Sequence, residues 1–370
     1  MLSKERTFGR PTSKDVARVA GVSQSTVSYV LSGSRPISSS TRKKVLDAIE
    51  DLGFQPNARG RALVTRKTGV IGLLVPNRAG VDPSGRFPFI DQVSQTALSH
   101  GYDLLLVTGD QAEGEVSRLI GESRCDGLIV MEVLNDDPRA VAIRDLGCPA
   151  VLIGLPREAT GLTCVDLDYA AAGLMSVSEA AQVGAEHIAV LHLCSGEEAN
   201  EVNYVARFVG AVQDCAGANN IDVTLHCITS PDRDDIQVGV NSALQQTRGR
   251  NSVIVTLNIA EVQQVLNVLK KAKHIPGESI SVLAVCSDTV AETCEPPVTN
   301  ISHEPRDVSK QAVDLLVAQL SPESPDSLSS SPSVFLHKPH LTRRISLVKD
   351  GGGSSPRPTR YRAGEGGVES

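Results

Sequence analysis

Residues 12–63 read TSKDVARVAGVSQSTVSYVLSGSRPISSSTRKKVLDAIEDLGFQPNARGRAL, and this stretch decides how the amino-terminal part folds. Ala17, Gly21 and Val27 are spaced by four and six, which suits two short helices crossing at a tight turn. Ala17 is small so that the second helix can pass over it. Gly21 turns the chain where a side chain would clash, and Val27 plugs the crossing. Thr12 followed by Asp15 marks the start of the first helix, and Ser23 caps the second ahead of Gln24, Ser25 and Thr26. Val16 and Ala20 then face Val27, Val30 and Leu31. The pattern is a helix-turn-helix.

Working outward, Ser38 caps a third helix over 39–52 that ends at Gly53, with Val45, Ile49 and Leu52 as its inward stripe. Arg42, Lys43 and Lys44 crowd its amino end, against the helix dipole. Phosphate contact and a solvated cluster both account for them. Residues 1–68 hold thirteen Lys/Arg against five Asp/Glu, a net of +8 within a chain of net charge −7, so the remainder carries −15. A basic head on an acidic body suits a protein whose one end meets phosphates. Residues 1–11 read as a mobile basic arm, 12–55 as the helix-turn-helix domain and 56–68 as a hinge helix and linker. Pro56 permits a short helix over NARGRAL, but seven residues with a glycine inside cannot hold one alone in water, so DNA and a second copy of the chain are expected to order it.

The whole chain, 370 residues and 41% hydrophobic, is too long for one ordinary core and fits two or three folded units. No run approaches the roughly eighteen apolar residues of a membrane span, and MLSKERTFGR has no apolar segment after it, so no secretory signal is read. Eight scattered cysteines without Cys-x-x-Cys or a matching histidine spacing read as reduced thiols of a cytoplasmic protein, with no metal site and no cofactor. No dinucleotide fingerprint, phosphate loop or nucleophile elbow is present, and His187, His192, His226 and His303 have no triad spacing. An enzyme is not expected.

From residue 69 short apolar runs alternate with amphipathic stretches. The runs are 70–75, 103–107, 127–131, 150–153, 187–191, 223–228, 252–257 and 281–285, with helical stretches such as 89–100, 169–183, 205–218, 259–272 and 306–320. Continuous apolar strands with helical crossovers mean parallel sheets covered on both faces. The pattern continues to 348, more than a single common sheet holds, and implies two α/β lobes with a cleft between them. Residues 321–333 form a Ser/Pro loop before a last short strand at 334–336, and the tail 349–370 has no hydrophobic pattern and reads as disordered.

KDVARVAGVSQSTVSYVLSG, ISSSTRKKVLDAIEDLGFQPNA and RAL, followed in order by PFIDQVSQTALSHGYDLLL, DGLIVM, PAVLIG, VDLDYAAAG, HIAVL, RFVG and LTRRIS, resemble the LacI family of bacterial transcription regulators up to about residue 348. The resemblance implies a small all-α helix-turn-helix head joined by a hinge to a two-lobed periplasmic-binding-protein-like body. It implies a dimeric repressor on a near-palindromic operator, controlled by a small-molecule effector between the lobes. Gln24 and Ser25 would read base edges, with Tyr29 one turn later where many members carry arginine. Thr12, Ser23, Thr26, Ser28, Ser32, Thr41 and Asn57 would touch the phosphate backbone, with Ser38 read rather as a helix cap. Leu63 would be the minor-groove wedge that kinks a central step. For the effector, Phe89 matches an aromatic wall and Arg207 an arginine that grips a ligand oxygen, and Asp168 falls either at the cleft or at a helix cap. Asn258 matches the first of an Asn-Asp pair whose acid is here Ile259, and Cys286 opens a second stretch that is usually acidic. Losing those carboxylates favours a less polar ligand than a conventional sugar, or a DNA-bound regulator or scaffold without ligand control. Dimer and tetramer both stay open, and the tail lacks leucine heptads.

Overall fold

The Asp15 carboxylate accepts from the Thr12 N–H at 2.9 Å and from its hydroxyl at 2.7 Å, which starts the first helix, α1 (Ser13–Ala20). The structure is a computed structural model that describes residues 11–32, 35–54, 67–76, 86–109, 112–194, 202–229, 233–247, 249–257, 262–302, 305–321 and 332–348. The chain divides into two units, Met1–Gly69 and Val70–Ser370.

In the first unit α1 is followed by α2 (Gln24–Ser32) and α3 (Ser39–Leu52). Val16, Ala17, Val27, Val30, Val45, Ala48 and Phe54 form its buried core, with Ile49 and Leu52 half-buried against it. Gly21 closes α1 at φ +66°, in the left-handed region, and donates to the Ala17 carbonyl. The expected clash is absent: a Cβ at Gly21 would meet nothing within 4 Å. Glycine is needed there for its torsion angle.

The second unit holds two six-stranded sheets. The first lobe contains β1 (Val70–Leu74), α4 (Phe87–Ser99), β2 (Asp103–Val107), α5 (Ala112–Gly121), β3 (Gly127–Met131), α6 (Pro138–Leu146), β4 (Ala150–Ile153) and β5 (Thr163–Leu167). The second contains α7 (Tyr169–Gln182), β6 (His187–Leu193), α8 (Asn203–Ala218), β7 (Asp222–Ile228), α9 (Arg233–Gln246), β8 (Ser252–Leu257), α10 (Val262–Lys271), β9 (Ser281–Val285), α11 (Asp288–Thr293) and β10 (Thr299–Ser302). The chain then recrosses: α12 (Pro305–Leu320) packs into the first lobe, β11 (Val334–His337) joins β5 there, and β12 (His340–Thr342) joins β10. The strand orders are β11-β5-β4-β3-β1-β2 and β12-β10-β9-β8-β6-β7, all parallel except β12 on β10.

The central strands of both sheets are covered on both faces, as their apolar runs require. In the first lobe Ile71, Leu73, Ile129 and Met131 face Val93 and Ala97 of α4 and Val308, Ala312 and Leu316 of α12. Leu74, Leu128 and Val130 face Val116 and Leu119 of α5 and Ile143 of α6. In the second, Leu191 and Ile254 lie with α9 and α10, while Ile188, Val190 and Val255 lie with α7 and α8. Gly173 lets α7 and α8 approach, since a Cβ there would stand 2.7 Å from the Phe208 carbonyl.

The run-based reading leaves out β5, β10 and β12. In β5 Asp166 interrupts TCVDL, and β10 reads Thr-Asn-Ile-Ser, yet every residue of both is buried. Asn300 is tolerated because its amide donates to the Cys286 carbonyl at 2.9 Å and to Asp288 at 3.0 Å. The expectation of eight reduced thiols is also corrected at one pair: Cys194 and Cys227 form a disulfide, with Cα atoms 5.7 Å apart. The register His192↔Cys227 brings the end of β6 beside β7, a proximity that 33 residues of separation hide in the sequence. The other six are free.

Candidate nucleic-acid interface and inter-lobe site

In the first unit α2 presents its amino end to solvent. Ser23 accepts from the Thr26 N–H at 3.1 Å and lies 2.7 Å from the Ser25 hydroxyl and 2.8 Å from that of Thr26, so it caps α2. Ser23, Gln24 and Ser25 are exposed, and Thr26, Ser28 and Tyr29 half-exposed, above the buried Val27. The Gln24 amide donates to the Ser13 hydroxyl at 2.9 Å, which ties the reader position to α1. Ser38 caps α3, accepting from the Thr41 N–H at 3.2 Å and donating to its hydroxyl at 2.8 Å. Thr12 is held by Asp15, whose carboxyl is lowered to about 2 by the Thr12 hydroxyl, the Thr12 N–H and then Arg18. The Ser32 side chain, Asn57 and Leu63 lie outside the described residues, as do the arm up to residue 10 and nearly all of the hinge.

Arg35 is the residue that spacing alone missed. Its guanidinium lies over the Tyr29 ring, 5.1 Å from the centroid, a cation–π contact of about 0.5–1 kcal/mol at an exposed site. A tyrosine at that position therefore carries a planar cation with it. No helical spacing flags it, since Arg35 follows Tyr29 by six residues and lies beyond the end of α2.

In the second unit the two lobes meet around the carboxyl ends of the strands, where ligands of open α/β sheets bind. Asn203 at the start of α8 donates to Asn135 of the first lobe at 2.8 Å, and Leu134 bridges to Val202. Arg207, one turn further along α8, donates to the Asp166 carboxylate of β5 and, at 3.4 Å, to the Leu167 carbonyl. Its guanidinium lies 5.5 Å from the centre of the Tyr169 ring, which stacks on Tyr204 at 4.8 Å. Asp166 is raised to about 6 because burial outweighs the nearby Arg207.

The expected effector residues separate. Arg207 is at the inter-lobe seam. Asp168 caps α7, accepting from the Ala171 N–H at 2.9 Å, so the cap alternative describes its side chain. Phe89, on the first turn of α4, is half-buried against the first-lobe core. Asn258 and Ile259 lie outside the described residues. Cys286 is buried in the second lobe's apolar core, where burial raises its thiol. The acid of that stretch, Asp288, accepts from Asn300 at 3.0 Å, from Thr342 at 3.3 Å and stands 3.2 Å from His340. Burial works to raise its carboxyl, but the contacts with Asn300 and His340 and the nearby Arg344 outweigh it and the net direction is down. Asp288 therefore ties β10 and β12 to α11.

Among the first-lobe groups near the seam, Asp137 and Arg139 form a buried pair, Nη2 to Oδ2 at 2.7 Å and Nε to Oδ1 at 3.0 Å. Arg139 also donates to the Met131 and Glu132 carbonyls. Arg86 pairs with Glu132, which stands at φ +53°. No group of three or more His, Cys, Asp or Glu suited to a metal occurs among the described residues.

The model for bacterial regulatory proteins of the lacI family matches residues 12–57, and that for the periplasmic binding protein-like domain matches 177–347. The HTH-type transcriptional regulator CelR of Thermobifida fusca is 28% identical over 347 residues, covering 91% of this chain and 98% of its own. The lac repressor dimer bound to operator and an anti-inducer superposes with a TM-score of 0.77 at 19% identity, covering 92% of this chain and 100% of that one. The CelR–cellobiose complex does so at 0.62 and 24%, covering 91% and 100%. At those identities the structural likenesses concern the fold.

Proposed function

The chain belongs to the LacI family of bacterial regulatory proteins and is a DNA-binding transcriptional regulator, and on that premise we propose that it is a repressor. It grips a near-palindromic operator as a homodimer in the bacterial cytoplasm, under the control of a small molecule held between the lobes. The observation that carries this reading is the exposed first turn of α2, Ser23-Gln24-Ser25, on a buried three-helix core. A helix end so presented fits the major groove. Gln24 makes a paired contact to adenine and Ser25 a permissive one, while Tyr29 delivers Arg35. Thr12, Ser23, Thr26, Ser28, Ser32, Thr41 and Asn57 hold phosphates, and Leu63 wedges the minor groove at an easily kinked central step. No helix among the described residues is long and apolar enough to cross a membrane.

An effector acts only by binding two arrangements of the lobes unequally. Arg207, Phe89, Asp168 and Asn258 are the residues assigned to it. A second reading, a regulator without ligand control, is favoured by one observation: Cys286, where an acid is usual, is buried in the core and offers no charged acceptor. A thermal-shift panel of sugars, phosphosugars and nucleobases separates the two, since a stabilised body supports the sensor.

The test of the whole is an unbiased selection of duplexes with the purified full-length protein. A symmetric consensus is expected. Its affinity is expected to fall roughly a thousandfold between 50 and 200 mM salt if six or more phosphates are engaged. No sequence preference, or a flat salt response, overturns the reading.

A further inference from the structure

Asp166 sits one residue from the carboxyl end of β5 and is 8% exposed. Its Oδ1 accepts from the Leu167 N–H at 2.9 Å, and its Oδ2 accepts from Arg207 Nη2. The pair therefore joins the first lobe to α8 of the second. Arg207 has further capacity: its Nε is buried without a hydrogen-bond partner. A half-buried guanidinium at a lobe seam attracts anions strongly. Here one anion is already in place, supplied by the chain itself.

We propose that Asp166 sets the charge selectivity of the inter-lobe site: by neutralising Arg207 it admits uncharged, hydroxyl-bearing ligands at the free Nε edge and refuses carboxylates and phosphates. The inference rests on the reading of that seam as the ligand site. An incoming anion at Arg207 meets the Asp166 carboxylate at short range in a poorly solvated place, where like-charge repulsion is comparable to the attraction that Arg207 offers. A hydroxyl or carbonyl oxygen meets no such repulsion, and it satisfies the orphaned N–H.

The surroundings leave this pair in control of the local charge. From its own strand and the next turn, Cys164 and Asp168 face Asp166. The Cys164 thiol is pushed up to about 12 by burial and stays neutral, and Asp168 is engaged as the α7 cap. On β11 the register partner is Leu336, and the neighbouring His337 lies 2.6 Å from Gln311. On β4 the nearest partner is Ile153. From α8 and α7 come Arg207 itself and the Tyr169 ring. Burial holds the Asp166 carboxyl up at about 6, so acidification through that range removes the internal anion and exposes Arg207.

The experiment uses the full-length protein and sulfate as the anion probe, because sulfate does not titrate between pH 5.5 and 7.5. Thermal unfolding is followed in sulfate against chloride at matched ionic strength. At pH 7.5 the wild type is expected to show no saturable sulfate response, whereas Asp166→Asn shows one, with an apparent affinity at least tenfold tighter. Adding Arg207→Gln to Asp166→Asn is expected to abolish it, which excludes sulfate bound at the basic head. The wild type at pH 5.5 is expected to gain a sulfate response of its own. Equal sulfate affinity in wild type and Asp166→Asn at pH 7.5 overturns the proposal. Should Asp166→Asn not fold, the wild-type comparison decides: no sulfate response at pH 5.5 also overturns it. If the sulfate pattern appears but no neutral sugar shifts the wild type, Asp166 keeps its role toward Arg207 and the effector reading falls instead.

Discussion

The head and the body of this protein handle polar residues in opposite ways. In the head, Ser23, Gln24 and Ser25 stand exposed on a helix whose position is set by neighbours within about thirty residues, Val16 to Val45. In the body, Asp166 and Arg207 are drawn together from 41 residues apart and shielded from water. The lesson concerns where specificity is stored. A surface that reads a duplex is built from local periodicity, and a cleft that selects a small molecule is built from crossovers.

The largest expected effect tests whether the head's surface depends on its core. Val27 is fully buried beneath the reader turn, and Val27→Asp places an unpaired charge there. Duplex binding is expected to be lost altogether while the body's calorimetric transition stays within a degree of wild type. A simultaneous loss of both transitions would mean that the two units do not fold separately.

A middle-sized effect sharpens the account of the turn. Gly21→Ala meets no steric obstacle, so its cost is torsional, about 1 kcal/mol for a left-handed alanine. Chemical denaturation of the head, followed by helix signal, measures it. A cost of about 3 kcal/mol or more would show that a neighbour does crowd this position.

The smallest effect is one of pH. Asp15 is lowered from 3.8 to about 2 by Thr12 and Arg18. A depressed carboxylate contributes stability that is fully present above the unfolded value and is lost as pH falls through the folded one. Protection of the Val16 and Ala17 amides, taken as their exchange relative to that of an unstructured chain at the same pH, is therefore expected to fall between pH 4 and 2 in the wild type. In Asp15→Asn that change should be absent; an identical profile would remove the cap from the account of α1.

Much of the architecture was legible beforehand. The eight apolar runs correspond to β1, β2, β3, β4, β6, β7, β8 and β9: the central six are apolar because both of their faces are buried, while β2 and β7 are partly exposed edge strands. β5 and β10 escaped that rule, since Asp166 and Asn300 are polar groups that find partners only in the folded chain. Within the candidate sites, the caps at Ser23 and Ser38 could be read from adjacent residues. Arg35 over Tyr29 could not, as no pattern of hydrophobicity records a cation resting on a ring.

What the sequence by itself determined is the head: three helices, their caps, their core and the side chains left outside, all consequences of spacing over one or two turns. It also determined that the rest is parallel α/β. Only the tertiary structure decided that α12 returns to the first lobe, that Cys194 meets Cys227, and that Asp166 faces Arg207. Those pairings depend on the order in which strands join a sheet and on where the chain crosses between lobes. Periodicity says which face of an element is buried, and topology says against what.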